Sequence, residues 1–252
     1  MHSLNGKVAI ITGAAGGLGR AFALGFAQAG AIVVCADVNV VGVEETAVLI
    51  QQNGGDSLAH PVDVTSAQST NDLVQATLER FGRLDILVNN AAIYAGLERK
   101  PFWEIEEAEW ERVLAVNVKG VWQMSKTAVS VMMANKSGGK IINIASATFY
   151  SGSVGWLHYV ASKGATIGMT RSMARELGDH NIAVNAIAPG FTLTEASMGI
   201  VDNAASYGIE RGALKRASQP EDMVGTAVYL ASPASDFVTG QTIVVDGGRQ
   251  FN

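Results

Sequence analysis

The residue pair with the clearest chemical potential is Tyr159 and Lys163, four positions apart in YVASK. A free tyrosine titrates near pH 10 and is a weak base at neutral pH. An ammonium group nearby favours the phenolate and draws that pKa down. A spacing of four places both side chains on one helix face, one turn apart. Tyr159 is therefore expected to be tuned to take a proton from an alcohol or return one to a carbonyl. Such help is typically worth roughly 10²–10⁴ in rate. Ser146, thirteen residues before Tyr159, closes an apolar run and is placed to hydrogen-bond the same oxygen. A second tyrosine, Tyr150, has no lysine one turn on, so it is read as shaping the substrate or an interface. His158 neighbours Tyr159 but points about 100° away on a helix, which makes it a structural or rim residue. No His/Cys/Glu spacing suits a metal.

A second constellation lies near the start. TGAAGGLGRAFA follows a β-branched run and carries Gly13, Gly17 and Gly19, with Leu18 between the last two. Glycine lets a backbone turn tightly and approach a ligand without a Cβ in the way. A helix starting at Gly17 would aim free N–H groups and its positive end at a pyrophosphate. The spacing is G-x-x-x-G-x-G rather than G-x-G-x-x-G. Asp37 ends the next strand about twenty residues on, where a carboxylate can accept from both adenosine ribose hydroxyls and repel a 2′-phosphate. This favours NAD over NADP. Arg20 is read as a solvated helix residue or a general attraction for phosphate. Asp63 and Val64 follow the third strand, and Asn90, in NNAA, follows the fourth. Asp63 could meet the adenine amino group. Asn90 could touch the cofactor or fix the turn, since Asn tolerates awkward backbone angles.

These residues need a scaffold, and the chain between them supplies one. Strands are expected at 7–12, 31–37, 57–64 (the weakest), 83–91, 140–146, 181–190 and 241–248. Their hydrophobicity is continuous rather than alternating, as in a parallel sheet buried on both faces. Helical stretches are expected at 17–29, 42–53, 67–81, 107–135, 155–178 and 220–231. Such alternation predicts an α/β fold, a doubly wound sheet with helices on both faces. There is no linker, repeat or charge block, so residues 1–252 are read as one domain. The segment 191–219 is long and weakly patterned, which suits a substrate-binding loop or lid.

Composition narrows the function. Of 252 residues, 48% are hydrophobic, enough for a sizeable core. The net charge of −5 gives no basic face for nucleic acid and no polybasic membrane anchor. The single cysteine, Cys35, lies in an apolar run and is read as a buried structural thiol. The N-terminal apolar segment is too short for a signal peptide or a membrane span, so a cytoplasmic location is expected.

TGAAGGLG, Asp63, NNAA, Asn117 in LAVNVKG, Ser146, YVASK and PGFTLT occur in the order found in the short-chain dehydrogenases/reductases, which the whole chain resembles from residue 7 to VDGG. The resemblance implies a seven-stranded Rossmann fold and a homotetramer. It implies catalytic roles for Asn117, Ser146, Tyr159 and Lys163, and nicotinamide contacts from Pro189, Gly190, Thr192 and Thr194. Lys163 would also bind the nicotinamide ribose, and Asn117 would support a water chain that replenishes its proton. NNAA stands where the family more often has NNAG, which adds the Ala92 methyl at the cofactor wall.

The expected reaction is hydride transfer between NAD and a small secondary alcohol or ketone. Substrate-pocket candidates are Tyr94, Ala147, Thr148, Phe149, Tyr150, Trp156 and the 191–215 loop, with Trp103 as an outlying one. They suggest a mostly apolar pocket for an aromatic or cyclic substrate, or else a subunit interface. The alternatives are a 3-oxoacyl-carrier-protein reductase, a glucose-type sugar dehydrogenase, and a non-catalytic dinucleotide-binding regulator. The last would be expected to lack one of Ser146, Tyr159 or Lys163.

Overall fold

The computed structural model describes residues 4–135, 137–199, 203 and 206–251. The apolar runs form seven strands: β1 (Val8–Thr12), β2 (Ile32–Asp37), β3 (Ser57–Pro61), β4 (Ile86–Asn89), β5 (Gly139–Ile144), β6 (Ile182–Pro189) and β7 (Thr242–Val245). All pair in parallel, in the order β3-β2-β1-β4-β5-β6-β7. The chain builds outward from β1 to β3, then returns to β4 on the other side of β1. That reversal leaves a crevice above the carboxyl ends of β1 and β4, where ligands bind in open α/β sheets.

Continuous hydrophobicity is explained by two cores. Ala9, Ile11, Val33, Cys35, Val88 and Ile142 face one way, onto Phe22 and Phe26 of α1 (Gly17–Gln28) and Met223 and Leu230 of α9 (Glu221–Ala231). Val8, Ile10, Val34, Leu87, Ile141 and Val184 face the other way. They meet Leu73 of α3 (Ala67–Phe81), Met124 and Met132 of α5 (Val121–Met132), and Ala174 of α7 (Leu157–Leu177). Each large apolar side chain so buried contributes about 1.5–3 kcal/mol. The third strand ends at Pro61 and is only half-buried, because β3 is a sheet edge. α2 (Val40–Gln52) starts two residues earlier than expected because Asn39 caps it, accepting from Gly42 N at 3.1 Å.

Two departures matter for function. The expected 107–135 helix is α4 (Glu107–Leu114) and α5 joined by a wider, π-type turn at Ala115–Gly120. The 191–219 segment is not featureless. Its Thr192 pairs with Ser218, and α8 (Glu195–Met198) opens with a capping box between Thr194 and Ser197. Residues 200–202 and 204–205 of that segment lie outside the described residues. Among the described residues, no helix is long and apolar enough to cross a membrane.

Candidate active site

Strand ends build the floor of the site. Thr12 Oγ1 accepts from the backbone N–H groups of Asn90 and Ala91, both at 3.0 Å, and donates to Val88 O. Asn90 Nδ2 donates to Thr12 O at 3.0 Å and Gly13 O at 3.2 Å. Asn90 is thus a staple across the crevice, the turn-fixing role foreseen as one of its two readings. The glycine turn packs against that staple. Gly13 has φ +70, and a Cβ there would stand 2.7 Å from Asn90 Nδ2 and 2.9 Å from Ala91 Cα. A Cβ on Gly19 would overlap the Gly13 carbonyl, so neither position accepts a side chain.

A buried polar ladder holds the helices over the sheet. Asn89 Nδ2 donates to Ser125 Oγ and Asn143 Oδ1, and Asn143 Nδ2 donates to Thr170 Oγ1 at 2.9 Å. It joins β4 and β5 to α5 and α7, which fixes the rotation of α7. Tyr159 and Lys163 are then both buried on one face of α7, with Lys163 Nζ 5.6 Å from the Tyr159 ring centroid. His158 turns away onto Glu109 Oε1 at 3.0 Å, the structural role expected of it. The π-type turn swings Asn117 inward. Its Oδ1 accepts from Ile93 N at 2.7 Å, and its Nδ2 donates to Ile93 O and Ser162 Oγ, both at 3.1 Å. Ser162 Oγ in turn donates to Tyr159 O at 2.7 Å. Asn117 therefore couples the loop after β4 to the turn of helix that carries Tyr159.

The two titrating groups are shifted in opposite directions by the same cause. Burial pushes the Tyr159 phenol above its ordinary range, with the nearby Tyr94 adding to that and a Ser146 hydrogen bond opposing it. Burial pushes the Lys163 ammonium down to about 8. In the chain alone, burial is the largest cause at both groups, and the upward direction at Tyr159 differs from the downward one expected from the Lys163 spacing. Lys163 Nζ donates to Ile144 O at 2.7 Å and lies 5.6 Å from the Tyr159 ring centroid. Ser146 Oγ also accepts from Thr148 Oγ1 at 2.9 Å.

One cavity of about 1040 Å³ joins these groups to the glycine turn. Gly13, Gly17, Leu18, Asp37, Asp63, Val64, Asn90 and Ala92 line one end, and Pro189, Gly190, Thr192 and Thr194 line the middle. Ser146, Tyr159, Lys163, Tyr94, Ala147, Thr148 and Trp156 line the other end. Gly19 and Asn117 do not reach the cavity wall and act from behind it. Arg20 does not face it either: its guanidinium donates to Ala15 O, Gly42 O, Thr46 Oγ1 and Glu45, bracing α1 against α2. Burial pushes the Cys35 thiol up to about 12, as befits an inert core residue.

Three aromatic candidates fall outside. The stretch after Ser146 coils into α6 (Thr148–Ser151), so that Ala147, Thr148 and the residues from Ser151 to Val154 line the cavity while Phe149 and Tyr150 turn away from it. The turn sends Tyr150 into a cluster with Ile167 and Ala188, and Phe149 against Gly164 of α7. Trp103 is exposed beside Phe102. In their place the cavity wall carries Arg99, Arg211, Arg249, Phe191, Tyr207 and Glu195, none of them foreseen individually. They come from three separate loops, so no local spacing marked them.

Known proteins agree with this geometry. A family model described as enoyl-(acyl carrier protein) reductase matches residues 13–250. The 2-dehydro-3-deoxy-D-gluconate 5-dehydrogenase of Escherichia coli (strain K12) is 41% identical over 248 residues, covering 98% of this chain and 96% of that protein. The chain belongs to the short-chain dehydrogenase/reductase family. Like other family members it is an oxidoreductase with a single Rossmann-type sheet. Galactitol 2-dehydrogenase of Agrobacterium fabrum (strain C58) is 41% identical over 257 residues, with 98% of each chain covered. The crystal structure of 3-ketoacyl-(acyl-carrier-protein) reductase from Brucella melitensis, complexed with NADH, is 33% identical. It superposes with a TM-score of 0.92 over 99% of this chain and 100% of that one.

Proposed function

We propose that this family member is an NAD-dependent dehydrogenase or ketoreductase for secondary alcohols and ketones, with Tyr159 as general acid–base. The observation that carries the reading is one cavity with Ser146, Tyr159 and Lys163 at one end and the glycine turn and Asp37 at the other. The residues fit a dinucleotide. The glycine turn leaves a cradle that a Cβ would fill, and α1 has Gly16 at its N-cap with no side-chain cap, leaving first-turn N–H groups for a pyrophosphate. Asp37 would accept from the adenosine ribose hydroxyls, and its charge opposes a 2′-phosphate. Arg20 is engaged with α2 and offers such a phosphate no clear partner. Asp63 and Val64 would flank the adenine, and Pro189, Gly190, Thr192 and Thr194 the nicotinamide half. The NADH named with the Brucella reductase supports the same cofactor class.

When bound, the dinucleotide supplies the hydride acceptor or donor. The chain manages the proton. Ser146 and Tyr159 would hold the substrate oxygen between two hydroxyls, and Tyr159 would exchange the proton with it. A value of about 8 keeps most of Lys163 charged at neutral pH, so an ammonium stands by the ring as phenolate character develops. Lys163 would also reach the nicotinamide ribose hydroxyls. Asn117 would keep the α7 turn in register and support a proton path from Lys163.

The relatives' names favour a polyhydroxylated substrate, and the arginines Arg99, Arg211 and Arg249 on an otherwise largely apolar wall support that over a purely aromatic one. The 191–219 segment would act as the substrate loop. The exposed Trp122, Phe237 and Phe251 support a homotetramer, which light scattering would test. A second reading, 3-oxoacyl-carrier-protein reductase, rests on the likeness to the Brucella enzyme. A panel of polyols, sugar acids and 3-oxoacyl thioesters, followed at the reduced-nicotinamide absorbance band with NAD and NADP, tests the proposal. NAD-linked turnover of a hydroxylated substrate is expected. Turnover confined to NADP and acyl thioesters would reject it.

A further inference from the structure

The far end of the cavity is cationic in a way that alcohol chemistry alone does not require. Arg99, Arg211 and Arg249 all line it. Elsewhere Arg20, Arg83 and Arg216 each bond a carboxylate. Among the described residues, the three cavity arginines form no ion pair. Two of them are held in place by packing. The Arg99 guanidinium lies 4.5 Å from the Trp156 ring centroid and donates to Tyr207 Oη at 3.1 Å. Tyr207 packs on Phe191, with centroids 4.7 Å apart, and has the Arg99 and Arg249 guanidiniums at 5.8 and 5.7 Å from its ring. Arg249 also packs on Gly208. Two guanidiniums thus flank one aromatic ring, on a wall shared with Tyr159.

The acids on the same cavity are placed elsewhere or held by the backbone. Asp37 and Asp63 belong to the adenosine end, and Glu195 opens α8, whose cap Thr194 packs by the glycine turn. Asp246 Oδ1 accepts from Gly248 N and Arg249 N, and its buried Oδ2 makes no hydrogen bond among the described residues. An arginine fork stacked on an aromatic face suits a carboxylate, which it can grip with two parallel hydrogen bonds. The geometry also sets the reach. The Trp156 ring centroid is 6.4 Å from that of Tyr159, and Arg99 lies on Trp156. A short carbon chain spans that gap.

We propose that Arg99 and Arg249 bind a carboxylate at the end of the substrate distal to the reacting carbon, with Arg211 adding positive charge. The substrate is then a polyhydroxylated hydroxy- or oxo-acid rather than a neutral polyol. This rests on the oxidoreductase reading above. The test compares kcat/KM for six-carbon aldonates and for alditols of the same configuration, in the wild type and in Arg99→Gln and Arg249→Gln. Charge-assisted hydrogen bonds of this kind are worth about 10- to 100-fold. Each variant should lower kcat/KM on the acid by about that factor, mainly through KM, and at least tenfold more than on the alditol. Equal preference for acid and alditol in the wild type, or equal losses on both in the variants, would overturn the proposal. A calorimetric titration of aldonate into Tyr159→Phe with NAD⁺ present tests the arginines without turnover. Binding that Arg249→Gln weakens at least tenfold supports them, and absence of aldonate binding overturns them. Aldonate binding in a chain that turns over no alcohol would leave the arginine site standing and reject the oxidoreductase reading.

Discussion

Replacing Lys163 by methionine should change stability with a sign that depends on pH. Burial lowers the Lys163 pKa from 10.5 to about 8. At about 1.36 kcal/mol per pH unit, the folded state carries a penalty of roughly 3 kcal/mol for the buried ammonium at neutral pH. Between pH 8 and 10.5 the unfolded chain holds the extra proton, so stability rises with pH across that window and the penalty disappears. Lys163→Met removes the penalty but loses the bond to Ile144 O, worth about 1 kcal/mol from the neutral amine, the penalty being already net of the charged form's bond. The variant should therefore be more stable than the wild type by about 2 kcal/mol at pH 7, several degrees in Tm for a chain of this size. It should be less stable by roughly 1 kcal/mol at pH 10.5, the difference swinging by about 3 kcal/mol. Urea unfolding followed by tryptophan fluorescence at pH 7, 9 and 10.5 measures that swing. Tyr159 is common to both proteins and cancels to first order. A difference that does not vary with pH would refute the claim that desolvation dominates this lysine.

Three further outcomes follow from the same structure. Asp37→Ser should lower kcat/KM with NAD and raise it with NADP, each by about tenfold, the loss of a charge-assisted acceptor; steady-state kinetics with both cofactors would show it. Asn117→Ala breaks bonds to Ile93 and Ser162 and leaves the Ile93 backbone groups unpaired, at a cost of about 2–3 kcal/mol by urea denaturation, with a lower kcat as well. Asp85 is buried, which raises its carboxyl, but Arg83, the Val8 N–H and Lys7 outweigh that and hold it below its ordinary 3.8. Its contribution is present above pH 3.8 and is lost as pH falls through the lower folded value, so Asp85→Asn should cost about 1–3 kcal/mol at pH 7 and progressively less in acid.

What could be read from sequence was what is local or periodic. The strand runs, the glycine turn and the Tyr159–Lys163 spacing each lie within one element, where side-chain direction follows from helix or strand period. The choice of Tyr159 over Tyr150 followed from a lysine one turn away, and Tyr150 packs in the core beside Ile167. What escaped is non-local. The ladder through Asn89, Asn143 and Thr170 joins residues from three elements, although each Asn stands out in an otherwise apolar strand. The π-type turn at Asn117 has no propensity signature, because a single wide turn costs little where side chains repair its hydrogen bonds. Arg99, Arg211 and Arg249 carry no local pattern, and only folding brings their segments to one cavity. The direction of the Tyr159 shift depends on burial, which the four-residue spacing does not encode.

The central claim is that Tyr159 moves the proton in a dinucleotide-linked reaction, and Tyr159→Phe tests it most directly. The variant keeps the ring that packs against Tyr94 and Trp156 and removes only the hydroxyl. Reduced-nicotinamide absorbance should report turnover lowered by at least about 10²- to 10⁴-fold, while calorimetry reports NAD affinity close to that of the wild type. Turnover within a few-fold of the wild type would contradict the account.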